Sequence, residues 1–346
     1  MYLNIVKGIA IILMIWGHCI QYCAKEAFDC FESEVFQFIY SFHMPLFMLI
    51  SGYLFFFSFQ KRDLKTLLIH RTQGMLQPIV FASILNTMLI RLPTFFLYGT
   101  VRITNGELLQ GIYTLWFLWC VLSASTAVAV VCKTLHNGWL QMFGILLGIL
   151  FVSLFPENHL HMYMYPYFVA GFYYGMYRER IPSWIKKCAC LSAVGFPLML
   201  CFYEKKHFIY ITPVFVPDME LFEMLRLNGY RWTIGFFGSL FVLTIVWLFF
   251  KRSADREQTP LVWKMLGKLG ENSLAIYCIS VSLLSYYLPK IFDRFLLAAG
   301  GNVFAENMLV FNFVITPVLT VLFGFGLYAV VQLMKKVKIH RLIFGR

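Results

Sequence analysis

The sequence is poor in charged residues: Asp, Glu, Lys and Arg together make up 13% of its 346 positions. A soluble domain usually carries about 25%, so a soluble globular domain is excluded. The chain is 60% hydrophobic and 18% aromatic, and apolar runs of roughly 20 residues, long enough to cross a bilayer as helices, recur along it. The even alternation of an outer-membrane strand barrel is lacking. The composition therefore predicts an all-α, polytopic membrane protein.

The nine cysteines lack the spacing of a metal site, so no metal cofactor is predicted. Most of them lie in apolar segments, where a free cysteine behaves as a small apolar residue. Cys23 and Cys30 flank the first predicted outer loop and could form a disulfide if that side is oxidising. The first apolar run lacks the A-x-A-like site of a cleaved signal peptide, so it is expected to remain as the first helix.

The apolar runs divide the chain into about ten predicted transmembrane helices. Long insertions that could form a soluble domain are lacking between them, and no internal repeat is evident, so residues 1–346 are predicted to be one membrane domain. The predicted spans are residues 4–23, 35–59, 75–98, 108–132, 139–155, 161–177, 188–203, 231–250, 272–289 and 307–334.

The net charge of +12 is distributed unevenly between the two sides of this arrangement. Lys and Arg are concentrated in alternate loops and in the C-terminal tail, while the intervening loops are mostly acidic. This is the asymmetry of the positive-inside rule. It predicts cytoplasmic termini and a multi-pass protein of the cell membrane. The basic balance thus indicates orientation in a lipid bilayer, and a nucleic-acid partner is not expected.

Two polar residues interrupt the first apolar helix, Lys7 near its start and His18 near its end. Eleven positions at about 100° each bring them back to one helix face, roughly 16 Å apart along the axis. They cannot touch each other, but they can address the two ends of one long ligand. Because ionisable groups are costly within a membrane, each is a functional candidate.

The second helix carries His43, and it runs antiparallel to the first. Its position, about 12 Å from the outer end of the helix, places the two imidazoles at similar depth. Each candidate residue also has a purely structural interpretation. Either histidine could be neutral and hydrogen-bonded to a neighbouring helix, Lys7 could be a headgroup anchor, and Trp116 could pack at an interface. Ser51 could simply permit close helix approach, and Arg71 could be a topology signal.

Five sequence blocks in the same order resemble the integral-membrane acyltransferase family 3. Lys7-x10-His18 resembles the Arg/Lys-x10-His signature of that family. The further blocks are S-F-H-M-P-L-F-M-L-I-S-G-Y (41–53), H-R-T-Q-G-M-L-Q-P (70–78), L-W-F-L (115–118) and G-E-N-S-L-A-I-Y (270–277). The chain departs from the family pattern at three positions, where it has Asn4 in place of Asp, Met75 in place of Arg and Ser280 in place of His.

The resemblance implies transfer of an acyl group from cytoplasmic acyl-CoA, acetyl-CoA above all, to a hydroxyl of an extracytoplasmic carbohydrate. Lys7 and Arg71 are the candidates for the nucleotide phosphates of the donor. His18 is expected to act as general base and His43 as its orienting partner. An acyl-histidine relay is the alternative chemical route. Further substrate contacts are expected from Ser51, Trp116 and Tyr277.

A transporter or flippase of a sugar or lipid-linked substrate is the alternative function. Ten helices and a polar pocket at mid-membrane depth suit transport as well. The lack of evident repeats and the few carboxylates within the apolar runs argue against it.

Overall fold

The structure is a computed structural model that describes residues 1–24, 29–99, 104–180, 189–254, 260–298 and 307–344. Helices dominate these residues. In chain order they are α1 Tyr2–Cys23, α2 Glu34–Gln60, α3 Leu64–Tyr98, α4 Asn105–Thr114, α5 Trp116–Thr134, α6 Gly138–Val152, α7 Asn158–Tyr177, α8 Ser192–Leu200, α9 Leu221–Ala254, α10 Leu261–Glu271, α11 Ser273–Ala298, α12 Thr316–Lys336 and α13 Ile339–Phe344. The turns Met308–Val310 and Phe311–Ile315 lead directly into α12.

Within the described residues, six helices are long and apolar enough to cross a membrane. They are Tyr2–Cys23, Glu34–Gln60, Leu64–Pro93, Trp116–Thr134, Leu221–Arg252 and Met308–Lys336. The apolar pair Ser273–Val281 and Leu283–Arg294 makes a further candidate span, bent by 60° at its middle. Gly138–Val152 and Ala189–Leu200 are apolar but shorter. The molecule is thus a helical membrane protein, while the total of about ten spans stays a prediction.

Several predicted boundaries were wrong; for example, the span predicted to begin at 231 begins at Leu221. The third helix begins at Leu64 and not at position 75, because the Asp63 carboxylate accepts the N–H of Thr66 at 3.1 Å and caps the helix there. The fourth predicted span, 108–132, is broken at Leu115, whose φ of −86° and ψ of 38° end α4 and start α5. Residues 261–271, expected in a loop, form α10.

Two pairs of glycines let helices approach backbone to backbone. A Cβ at Gly8 would lie 2.1 Å from the carbonyl oxygen of Leu266, and one at Gly270 would lie 1.7 Å from that of Asn4, so α10 packs directly against α1. Gly52 of α2 and Gly171 of α7 make the same kind of contact. Small residues at such interfaces are the usual means of close helix packing in membranes, and they fix the position of α1 and α2.

A buried arginine holds the segment between α8 and α9 against the bundle. Arg231 of α9 is 1% exposed and donates to the carbonyl oxygen of Lys206 at 2.6 Å and to Oδ1 of Asn228 at 3.2 Å. Asn228 in turn donates to the carbonyl oxygen of Val214 at 2.8 Å. These bonds satisfy backbone groups of the segment and deliver Tyr210 to the end of the bundle where α1 finishes.

Candidate active site

One face of α1 forms the wall of two adjoining cavities. Lys7, Ile11, Met14 and His18 follow one another at helical spacing and all line one cavity or the other. The cavity that contains Lys7 is called the lysine cavity below, and the cavity that contains His18 is called the histidine cavity. The predicted shared face of Lys7 and His18 is therefore a face lined by cavities along its length.

The lysine cavity is narrow, at about 120 Å³, and mostly apolar. Its walls come from α1, α2, the start of α5 and the start of α11. Its lining residues are Lys7, Ile11, Met14, Met44, Phe47, Ile50, Ser51, Leu54, Phe117, Ser273, Leu274 and Tyr277. Such a narrow, apolar cavity suits a thin ligand chain with few charges. Lys7 provides the one cationic side chain of its lining.

The histidine cavity is larger, at about 200 Å³, and more polar. It adds the end of α4 and the segment between α8 and α9 to the walls. Its lining residues are Met14, His18, Gln21, Tyr22, Tyr40, His43, Met44, Thr114, Trp116, Tyr210, Tyr277 and Val281. Two imidazoles, three phenols besides Tyr277, one amide and one indole converge there, which is the density of polar groups expected of a reaction site.

Three side chains, Met14, Met44 and Tyr277, belong to both cavities. Tyr277 is buried, and its hydroxyl oxygen accepts the N–H of Phe117 at 3.4 Å, which joins α11 to the start of α5. The methionines are unbranched and adapt their shape to what lies beside them. The junction between the cavities thus has one fixed wall and two adaptable ones.

A small hydrogen-bond network sets the tautomer of His18. Its Nδ1 lies 3.3 Å from Oε1 of Gln21 and 3.4 Å from the hydroxyl oxygen of Tyr40, while the Tyr40 hydroxyl donates to the same Gln21 oxygen at 2.8 Å. The three contacts are satisfied together when Nδ1 carries the proton. The lone pair of His18 is then on Nε2. That is the arrangement a general base requires.

His43 is fixed in the same way by its own helix. Its Nδ1 lies 2.8 Å from the carbonyl oxygen of Ile39, which can only accept, so Nδ1 carries the proton here too. His43 is 3% exposed and packs edge-on against the ring of Tyr40. Both histidines therefore place a lone pair on Nε2 and line one cavity, as their predicted common depth required.

Six of the seven predicted site residues line the two cavities. Lys7 and Ser51 lie in the lysine cavity, His18, His43 and Trp116 lie in the histidine cavity, and Tyr277 lies in both. Arg71 is the exception. It lies on the second turn of α3, with its guanidinium carbon 4.7 Å from the ring centre of Phe55, and it is not among the described residues that line either cavity.

Sequence reasoning missed five polar residues of the histidine cavity, namely Gln21, Tyr22, Tyr40, Thr114 and Tyr210. Gln21 and Tyr40 each stand three positions from a histidine, one helical turn away, and that spacing was the available signal. Tyr210 carried no such signal, because it lies in the irregular segment after α8 and reaches the cavity through tertiary contacts alone.

The structure does not join Cys23 to Cys30, so the disulfide that their positions allowed is not formed. Within the described ranges, no group of three or more His, Cys, Asp or Glu side chains is placed to hold a metal ion.

Comparison with known proteins gives a family match and two relatives. The family model described as "Acyltransferase domain" matches residues 2–330. Nodulation protein NolL of Sinorhizobium fredii is 33% identical over 177 residues, which cover 49% of this chain and 47% of that protein. Nodulation protein NolL of Mesorhizobium japonicum is 27% identical over 227 residues, 62% of this chain and 59% of that protein. The matched part thus spans about half to three fifths of these curated relatives. No solved structure matches the chain.

Proposed function

The chain belongs to the acyltransferase domain family, and on that premise we propose that it moves an acetyl group from cytoplasmic acetyl-CoA, or another acyl-CoA, to a hydroxyl of an extracytoplasmic carbohydrate. Family membership favours acyl transfer over the transporter alternative. The single observation that carries the finer proposal is the pair of adjoining cavities along α1, with Lys7 in one and His18 in the other.

The donor is proposed to enter from the side on which α1 begins. Its phosphates meet the ammonium of Lys7 at the entrance of the lysine cavity, since cations bind phosphate groups through charge-assisted hydrogen bonds. Arg71, which lies on α3 outside the described cavity linings, is assigned to the nucleotide that stays outside. The uncharged pantetheine arm follows the apolar wall past Ser51, and the thioester reaches the junction at Tyr277.

The acceptor hydroxyl is proposed to enter the histidine cavity from the opposite side. As the hydroxyl oxygen attacks the thioester carbon, Nε2 of His18 takes its proton. The new C–O bond forms, the C–S bond breaks, and the thiolate of CoA takes the proton back from the imidazolium. Nε2 of His43 accepts from a second hydroxyl of the acceptor and orients it. Trp116 contributes an indole N–H and an aromatic surface beside the sugar.

An acyl-histidine relay stays the alternative route through the same residues. There Nε2 of His18 would attack the thioester carbon, and the C–S bond would break to release the CoA thiolate. The acceptor hydroxyl would then attack the acyl carbon, the C–N bond would break, and the hydroxyl proton would pass through Nε2 to neutralise the thiolate. Such a step would let donor and acceptor occupy the site in turn. Both routes need an unprotonated Nε2 on His18, and the Gln21–Tyr40 network supplies it.

The finer topology belongs to the same proposal. Residues 1–346 act as one domain with about ten spans, both termini are cytoplasmic, and the protein resides in the cell membrane. This orientation would place Lys7 toward the cytoplasm, where acyl-CoA is found, and His18 toward the outer side. The basic C-terminal tail is in accord with it.

Mass analysis of surface glycan tests the proposal as a whole. Cells that express the protein should carry glycan with an acetyl increment that a strain lacking the protein does not show. Purified protein should also be protected against heat by acetyl-CoA, as binding to the folded state requires. Identical glycan spectra together with no protection by acetyl-CoA would contradict the proposed function.

A further inference from the structure

A third cavity adjoins the histidine cavity on the side away from the lysine cavity. It has a volume of about 270 Å³ and lies between α3, α4 and α11. That volume is near the lower end of the roughly 300–1,000 Å³ typical of small-molecule sites. Most of its lining is polar: Asn86, Thr87, Ile90, Arg91, Glu107, Gln110, Gly111, Thr114, Ser285 and Tyr286. We call it the asparagine cavity.

Asn86 is the residue that points to a ligand. Its side chain is 2% exposed, and its amide nitrogen donates to the carbonyl oxygen of Cys278 at 2.7 Å. That bond fixes the amide nitrogen against α11. Oδ1 is buried and accepts no hydrogen bond from the part of the chain that the structure describes. Because an unsatisfied buried acceptor costs about 1–3 kcal/mol, a cavity with such an atom in its wall is suited to a ligand that donates a hydroxyl.

The charges of the asparagine cavity balance. Arg91 of α3 and Glu107 of α4 form an ion pair in its wall. Glu107 is also fixed by its own helix, since its second oxygen accepts the N–H of Thr104 at 3.0 Å in a capping box. The two side-chain charges in the lining are opposite and paired, so neither is left to attract a charged ligand. Its remaining groups are amides and hydroxyls, which suit an uncharged polyhydroxylated ligand.

The asparagine cavity borders the histidine cavity at Thr114, the last residue of α4, which lines both. On α4 the lining face runs from Thr114 to Gln110, four residues earlier, and on α11 it runs from Val281 to Ser285, four residues later. The two cavities are therefore neighbours along the same two helices, as two adjacent units of one ligand would require.

We infer that the asparagine cavity binds an uncharged sugar unit of the acceptor, with Oδ1 of Asn86 accepting a hydrogen bond from one of its hydroxyls. This inference rests on the proposed function, because it assigns the acceptor side of the same site. The sugar held here leaves the reacting hydroxyl beside His18 and His43. Asn86 and Gln110 are thus specificity-determining contacts outside the reacting cavity.

Two variants test the inference, each with a matched control. Asn86→Leu removes the unsatisfied acceptor, and Ser83→Ala on the same helix removes a hydroxyl bonded only within α3, to the carbonyl oxygen of Ile79. Gln110→Trp fills the cavity from an exposed position, and Leu109→Trp places the same bulk at an exposed neighbour outside the lining. Each is expressed in cells lacking the native copy, and the acetyl increment on surface glycan is measured by mass spectrometry. Purified variants are also tested for heat protection by acetyl-CoA.

Asn86→Leu and Gln110→Trp should each lower the acetyl increment by about tenfold or more while acetyl-CoA protects them as it protects the wild type. Fragmentation should show an uncharged sugar next to the acetylated unit. Where Asn86→Leu does not reach the membrane, Gln110→Trp decides alone. Unchanged acetylation by Gln110→Trp, loss of donor protection in both variants, or only charged sugars next to the acetylated unit would overturn the inference. No acetyl increment from the wild type would overturn the proposed function, and this inference with it.

Discussion

The lysine and histidine cavities share a helix face and three side chains, yet they differ in almost everything else. The lysine cavity, at about 120 Å³, is lined mainly by aliphatic and aromatic side chains. The histidine cavity, at about 200 Å³, gathers two imidazoles with the polar groups of Gln21, Tyr40, Thr114, Trp116 and Tyr210. Under the proposed function, this contrast would separate two tasks, holding a long carrier and moving a proton, at a spacing that one helix fixes.

A comparison of the buried histidines shows which of them are candidates for function. His161 is buried as His43 is, but its Nδ1 lies 2.7 Å from the hydroxyl oxygen of Ser123, and it stacks on Phe155. It lines neither of the two cavities as far as the structure describes them. Because its hydrogen bond and its stacked ring are both provided by neighbouring side chains, we interpret His161 as a structural residue. His18 and His43 stand apart because they share a cavity.

The largest effect should come from removing the base. His18→Ala should lower acyl transfer by about 100-fold or more, the scale of general base catalysis, while acetyl-CoA still protects the folded protein against heat. His161→Ala is the matched control, a second buried imidazole truncated in the same bundle, and it should cost stability and leave transfer in place. Near-normal turnover by His18→Ala would contradict the catalytic assignment.

The junction between the two cavities can be closed without touching either end. Met14→Trp adds bulk where both cavities meet and should lower the kcat/KM for acetyl-CoA by about tenfold, since overpacking displaces whatever must pass. Met14→Leu keeps the volume and should behave like the wild type. If Met14→Trp transfers acetyl groups at the normal rate, the cavities do not form one path.

Substitutions of Lys7 in the lysine cavity should change the KM for acetyl-CoA and leave kcat nearly unchanged. Lys7→Ala should raise the KM for acetyl-CoA by about tenfold, the value of one charge-assisted contact to phosphate, with kcat nearly unchanged. Lys7→Arg keeps the cation and should restore most of the affinity. The measurement is steady-state kinetics with unacetylated glycan as acceptor. An unchanged donor KM in Lys7→Ala would remove the phosphate role.

A glycine beside His18 makes room for the network that sets its tautomer. A Cβ at Gly17 would lie 2.6 Å from the ring of Tyr40, so Gly17→Ala should displace that ring and weaken its contacts with His18 and Gln21. We expect a several-fold fall in kcat, on the order of one lost hydrogen bond. Gly326→Ala meets no atom within 4 Å and is the control. Equal activity of the two variants would mean that Tyr40 does not position His18.

The smallest expected effect is on stability, from the ion pair that attaches the segment between α8 and α9, which carries Tyr210. Lys205 pairs with Asp29, and this contact lowers the pKa of the Asp29 carboxyl from its ordinary value of 3.8. A lowered pKa in the folded state stabilises the protein at neutral pH, and that stabilisation disappears as pH falls through the folded pKa, below about 3.8.

Asp29→Asn tests that attachment by thermal unfolding. It should lower the Tm at pH 7 by about 1–2 °C, because exposed ion pairs contribute little, and the difference from the wild type should shrink as the pH falls below 3.8. A difference that persists at acid pH would show that the Asp29 carboxylate is not its source.

Periodicity and the polar interruptions of apolar runs were sufficient to predict much of this site. The spacing of Lys7 and His18 predicted one shared face, and the antiparallel order of the first two helices predicted a common depth for His18 and His43. These are local consequences of helix geometry. The cavities that both pairs line are in accord with them.

The remaining features depend on contacts between distant parts of the chain. Tyr210 reaches the histidine cavity because Arg231 anchors its segment through the backbone carbonyl of Lys206, 25 residues away in sequence. Asn86 owes its orientation to the carbonyl of Cys278, 192 residues away. The N-cap at Asp63 starts α3 at Leu64 and places Arg71 on that helix. Asp63 is a typical N-cap residue, but the basic residues around it favoured the interpretation of this stretch as a loop.

In the proposed mechanism, a thioester carrier extends along α1 from Lys7 to His18. The decisive measurement is a structure of the purified protein with a non-hydrolysable acetyl-CoA analogue. We expect phosphates beside Lys7, the pantetheine arm passing Ser51 and Met14, and the analogue's carbonyl carbon within about 4 Å of Nε2 of His18, in contact range. An acyl group on any other face of α1, with His18 turned away from it, would rule the mechanism out.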